Sequence, residues 1–199
     1  MFYLSGQEAP GLSFYALAGS VQIDSSGKVL AGEQDYNDAL GLTSPQPSGD
    51  TITGGTMSVN ATGQGTVTLT TNNTGLGVNG VETLGVQFVN SNHALIVQFD
   101  GVATSSGSLD LQTLTGTLNG EYAFTLGGVD TSLSPVGFGG VFSINGGTSL
   151  QNGSVDENDN GNVTTATPLS GTLSRIDSFG RGSISTNLNY SGAPIVSAR

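Results

Sequence analysis

Along much of this chain apolar residues recur at every second position. Tyr15, Leu17, Gly19, Val21 and Ile23 share one parity, and Val136, Phe138, Gly140, Phe142 and Ile144 repeat the arrangement. A period of two is that of a β-strand with one buried face. A glycine at the centre of both runs predicts a tight bend or a close backbone approach within a long, coiled strand. Further strands are predicted at 66–70 with Val67 and Leu69 inward, at 84–89, at 94–99 with Leu95, Val97 and Phe99 inward, and at 107–111 with Leu109 and Leu111 inward. The turn signals DSSGK (24–28), ATGQG (61–65), VNSNH (89–93) and FDGVA (99–103) separate them. No segment carries a 3.6-residue apolar stripe. The expected fold class is all-β and antiparallel.

The pattern is also periodic on a larger scale. Sliding the sequence by 121 positions lays LSFYALAGSVQID (12–24) on LSPVGFGGVFSIN (133–145) and GEQDYND (32–38) on GSVDEND (153–159). In that register Gly6, Gly19 and Gly32 meet Gly127, Gly140 and Gly153. After a shorter loop, GTMSVNATGQGTVTLTTN (55–72) resembles GTLSRIDSFGRGSISTNLN (171–189) with one inserted residue. Two copies of one module are the simplest account, the first over 1–115 and the second over 119–199. About eight hairpin-linked strands in the first suit an up-and-down barrel or a two-sheet sandwich, and closure, which removes exposed edges, favours the barrel.

The second module stops before any counterpart of 81–111. A five-strand remnant would expose an apolar face and two open edges. Three arrangements would cover them: further repeats of a longer array, strand addition between neighbouring chains, or one sheet system shared by residues 1–199.

Composition narrows the function classes. Of 199 residues, 35% are hydrophobic and 32 are glycine, which fits two small cores joined by many turns. Fifteen acids against four bases (Lys28, Arg175, Arg181 and Arg199) give a net charge of −11. Such a surface repels phosphate backbones and anionic bilayers, so no nucleic-acid partner is expected. There is no cysteine. No apolar run approaches the roughly 20 residues of a spanning helix, and MFYLSGQEAPG has neither the basic nor the apolar region of a signal peptide, so no membrane insertion is expected. Scarce lysine with abundant Thr, Ser, Asn and Gly goes with secreted bacterial proteins, and the expected location is extracellular or at the cell surface.

The string YAFTLGGVDTSLSP (122–135), the following GVFSINGG (140–147), the acidic DEND (156–159) and HALIVQFDGVATSSGSLDLQ (93–112) resemble the tandem β-rich modules of large secreted and surface proteins of acidobacterial type. The resemblance covers nearly the whole chain and rests on patterned rather than catalytic residues. It implies an extracytoplasmic structural or adhesive role and brings no established activity. The absent strands of the second module depart from a full tandem pair.

Candidate chemistry is sparse. Asp156, Asn158, Asn160 and Gly161 fit D-x-[DN]-x-[DN]-G, the opening half of a calcium loop, although the position of the closing glutamate holds Thr167. The alternative for QNGSVDENDNGN (151–162) is a solvated turn in which Asn and Asp bond their own backbone. Glu33, Asp35 and Asp38, or Asp156, Glu157 and Asp159, could supply the carboxylate pair of a glycosidase, but the chain has no tryptophan to serve as a sugar platform. His93 is the only available triad base, and a turn-capping role explains it more simply. Exposed aromatics such as Tyr36 could meet a partner, although core packing or strand pairing accounts for most aromatics in the chain. The N-x-[ST] sites at Asn60, Asn72, Asn152, Asn162 and Asn189 are of the kind that arise by chance in such a composition. The expected function is a non-enzymatic extracellular structural or adhesive β-repeat protein that self-associates into a homo-oligomer or filament. No cofactor is expected beyond the calcium reading. The alternative is a barrel that binds a small apolar ligand or a glycan.

Overall fold

The computed structural model describes residues 1–9, 11–38, 49–113, 117–130, 132–174 and 176–188. The chain divides into two compact units, residues 1–113 and 114–199. In the first, eight strands run β1 (Phe2–Glu8), β2 (Phe14–Ile23), β3 (Lys28–Asp38), β4 (Asp50–Val59), β5 (Gln64–Thr71), β6 (Val81–Asn90), β7 (His93–Gln98) and β8 (Ala103–Asp110). Each pairs antiparallel with its successor, and β8 returns to β1 with Leu4 opposite Gly107, closing an up-and-down barrel. Eight strands enclose an interior just wide enough for side chains to fill. Leu4, Leu17, Val29, Ile52, Leu69 and Ile96 fill it.

The β7 expectation is corrected. Ala94 and Ile96 face inward, while Leu95, Val97 and Phe99 are 53%, 47% and 72% exposed. The reason is one bulge. Asn90 pairs with His93 around Ser91 and Asn92, and an unbroken ladder from there would set Val86 opposite Val97. A register shift between Phe88 and Asn90 sets Val86 opposite Ile96 instead. A slip of one residue exchanges the two faces of a strand, and β7 is apolar on both. Leu109 is packed against the core, but Leu111 lies beyond the end of β8 and is exposed.

The second unit is an open sheet of β9 (Gly120–Val129), β10 (Pro135–Asn145), β11 (Ser149–Asp159), β12 (Asn162–Leu173) and β13 (Ile184–Thr186), in the spatial order β13-β12-β11-β10-β9. Phe142, Ile144, Leu150, Leu169 and Leu173 form its core. Its ladders match those of β1–β5. Tyr15 faces Asp38 as Val136 faces Asp159, and Gly55 faces Leu69 as Gly171 faces Thr186.

The central glycine of each long strand does what its sequence position predicts. A Cβ on Gly19 would lie 2.7 Å from Phe2 Cζ, and one on Gly140 would lie 2.8 Å from Phe124 Cε1. In both units a phenylalanine of the preceding strand rests on bare backbone. This pairing corrects the first strand's alignment, because Phe2 and Phe124 are equivalent and Gly6 therefore matches Gly128 rather than Gly127. The β1–β2 and β9–β10 loops differ by one residue and converge again at Leu12 and Leu133, both left-handed at φ 57° and 62°.

Acidic and amide side chains build many of the turns. Asp24 accepts from the N–H groups of Ser26 and Lys28, Asn60 from Thr62 and Gln64, Asp130 from Ser132 and Ser134, and Asp177 from Phe179 and Arg181. These are Asx turns, in which a side-chain oxygen replaces the missing backbone acceptor.

Candidate functional site

The two units differ where the sheet ends. In the barrel, β1 is covered by β8 and β5 by β6. In the second unit β9 and β13 each have one neighbour among the described residues. The consequence is visible at matched positions. Leu4 faces Leu17 across β1–β2, and both are buried. Leu126 faces Phe138 across β9–β10, and both are only partly buried, as is Val136 where the barrel buries Tyr15. An apolar face that the barrel seals is left partly open here.

The acidic box lies on β11 rather than in a turn. Residues through Asp159 belong to the strand, and only Asn160 and Gly161, with φ 48° and 92°, make the tight connection to β12. Two left-handed residues suit a two-residue hairpin, and Asn-Gly is its favoured sequence. Asn158 Oδ1 accepts the Gly161 N–H at 2.9 Å, and Asp156 Oδ1 accepts the Ala166 N–H at 2.7 Å beside a bulge. These oxygens of the proposed calcium ligands Asp156 and Asn158 are thus engaged with backbone, while Asn160 supplies turn geometry. No three His or acidic side chains among the described residues converge as a metal site would. Strand alternation puts Asp156 on one face and Glu157 and Asp159 on the other. It likewise separates Glu33 and Asp35 from Asp38 on β3. Ala39, Leu40 and Gly41, the residues aligned with the end of the box, lie outside the described residues, as does the Asn189 sequon.

His93 opens β7 opposite Asp110. Its Nδ1 is 2.6 Å from Asp110 Oδ1, and Ser108 Oγ donates to Asp110 Oδ2 at 2.7 Å. The carboxylate therefore sits between serine and histidine, whereas a nucleophile needs the imidazole in the middle. Tyr36, expected on the surface, is buried in the barrel with its ring centroid 5.5 Å from that of Tyr15. It shares the inward parity of Gly32 and Gln34.

Tyr36 belongs to a cluster that sequence reasoning missed. At one end of the barrel the odd-numbered strands finish and the even-numbered ones begin, and polar residues occupy the inward positions there. Tyr36 Oη donates to Glu8 Oε1, and Tyr15 Oη donates to Gln98 Oε1. Ser105 Oγ donates to the same Gln98 oxygen at 3.3 Å, and Gln98 Nε2 donates to Asp100 Oδ2 at 2.9 Å. Deeper in, Gln34 Nε2 donates to Glu82 Oε2 at 2.7 Å, and Asn73 Nδ2 donates to Asp50 Oδ2 at 3.1 Å. Burial pushes the Glu82 carboxyl up to about 7; Asp100 and Asp50 push the same way, and the Gln34 hydrogen bond opposes them. Burial, the largest cause, also raises the Tyr15 and Tyr36 hydroxyls well above the usual phenol range. The missed signal was parity: Glu82 shares a face with Leu84 and Val86, and Gln34 with Tyr36.

No family model matches the chain, and no significant match exists among curated proteins or solved structures.

Proposed function

We propose that this chain is a non-enzymatic, extracellular structural or adhesive β-repeat protein that assembles through its second unit. One observation carries the reading. Leu126 and Phe138 stay partly exposed where their counterparts Leu4 and Leu17 are sealed by barrel closure. On this reading the second unit duplicates β1–β5, and another polypeptide supplies the cover that β6–β8 give the first. The occupant is the β9 edge of a second copy of the chain. β9 is ten residues long, against three for β13, so it offers the longer row of backbone donors and acceptors. The matched ladders of the two units and the patterned resemblance to tandem surface modules support the same view. So do the outward Thr66, Thr68 and Thr70 of β5, which a lipid-facing band would not carry, although β7 turns Leu95 and Val97 outward. A barrel interior packed with its own side chains favours assembly over uptake of an apolar ligand.

The test is size-exclusion chromatography with light scattering over a concentration series. The wild-type chain should form dimers and larger species, and Leu126→Asp should return it to monomer without loss of the barrel's unfolding transition. A fully folded monomer at every concentration overturns the proposal.

A further inference from the structure

The assembly makes no use of the polar end of the barrel, and its floor has an unmet requirement. Gln34, Asp50 and Glu82 are 0%, 2% and 3% exposed. Asp50 stands opposite Gln34 in the β3–β4 ladder, and Gln34 reaches Glu82 through its Nε2. Gln34 Oε1, equally buried, accepts no hydrogen bond. A buried amide oxygen left without a partner costs on the order of 1–3 kcal/mol, so such an atom marks a place where a donor or a cation belongs. Negative charge gathers around it. Besides Asp50 and Glu82, Asp100 and Glu8 lie at the same end, and no lysine or arginine sits on the strand ends that form it. Lys28 begins β3 and is therefore at the opposite end.

The donor set selects the kind of ion. A divalent cation such as calcium takes six to eight oxygens and several carboxylates. No group of three acidic or His side chains among the described residues would hold a metal ion. A neutral amide oxygen with one or two carboxylates suits a singly charged ion, and three side chains so fully buried leave room only for a small one.

We propose that Gln34 Oε1, together with the Glu82 and Asp50 carboxylates, holds a compact hard monocation, an alkali ion or an ammonium group, inside this end of the barrel. The Glu82 carboxyl is already tied to the same amide through its nitrogen. The groups facing that carboxyl are Gln34 on β3, Asp50 on β4, Asp100 after β7 and Tyr15 on β2. The two aspartates disfavour its ionisation and Gln34 favours it.

The experiment uses the full chain, dialysed at pH 8 into a buffer whose only cation is tetramethylammonium. Its thermal midpoint is then titrated with sodium, potassium and ammonium chloride at constant ionic strength. At least one compact cation should raise the midpoint saturably, and more tetramethylammonium should not. Gln34→Met and Glu82→Gln should each weaken that response by about tenfold or more while unfolding cooperatively. The ranking of sodium, potassium and ammonium identifies the source of the charge, and a slowly exchanging ¹⁵N-ammonium resonance marks the ammonium case. Should Gln34→Met not fold, Glu82→Gln alone decides, since it keeps the shape and the neutral state that burial favours. An equal response to all four chlorides, or a selective one that persists in the variants, overturns the proposal.

Discussion

The barrel and the open sheet are built from the same five-strand meander and end differently. Both place a phenylalanine on a central glycine, and both use a left-handed leucine before the second strand. Among the described residues only the first continues, through β6–β8, and seals most of its apolar face. Alternation and turns are thus enough to make a sheet, while sealing its core takes the three strands that remove the edges.

The largest expected contrast is in amide hydrogen exchange. Inner amides of β5–β7 should exchange only with global unfolding of the barrel, roughly three orders of magnitude or more slower than those of β9 and β13 in dilute protein. Equal protection of β1 and β9 would break the comparison.

Next come the matched core positions. Leu17→Ala should destabilise the barrel by about 3–4 kcal/mol through the cavity it leaves, and Phe138→Ala should cost the second unit only about 1–2 kcal/mol, because part of that ring already meets solvent. Urea unfolding followed by unit-specific NMR signals measures both.

Glu82 comes third and probes only the closed unit. Its folded-state pKa of about 7 lies above the ordinary 4.5, so its contribution is full below about 4.5 and is lost as pH rises through about 7. In tetramethylammonium buffer, Glu82→Gln should leave stability unchanged at pH 4 and raise it at pH 8 by about 3 kcal/mol. Denaturant midpoints at the two pH values check this.

The smallest effect sharpens the register of β7. Leu95→Ser should shift barrel stability by about 0.5 kcal/mol or less, because Leu95 faces outward, whereas Ile96→Ser should cost several kcal/mol. Equal losses would restore the unbulged ladder.

Most of the architecture was legible as period two. Tyr15, Leu17, Val67 and Leu69 point inward as their spacing requires, and the strand count of the first unit follows from its turns. The facing of β7 was not legible, because its sequence is apolar on both faces and a bulge at Val89 chose between them. Nor does alternation detect a one-residue change in loop length, which is why Gly6 found the wrong partner. The polar cluster went unread for another reason. Gln34, Asp50 and Glu82 look like surface residues by type, and only their parity with apolar neighbours, together with closure of the barrel, places them inside. The acidic box was read from its composition, which resembles a turn, although most of it continues a strand.

An odd number of antiparallel strands has a directional result. With five strands, β9 and β13 point the same way. Simple translation of one chain beside another would therefore bring these margins together in parallel. To keep the antiparallel ladder, neighbouring chains must turn over, so that β9 meets β9 and β13 meets β13 about two-fold axes. An array grown in this manner would have no head-to-tail polarity, its subunits alternating up and down.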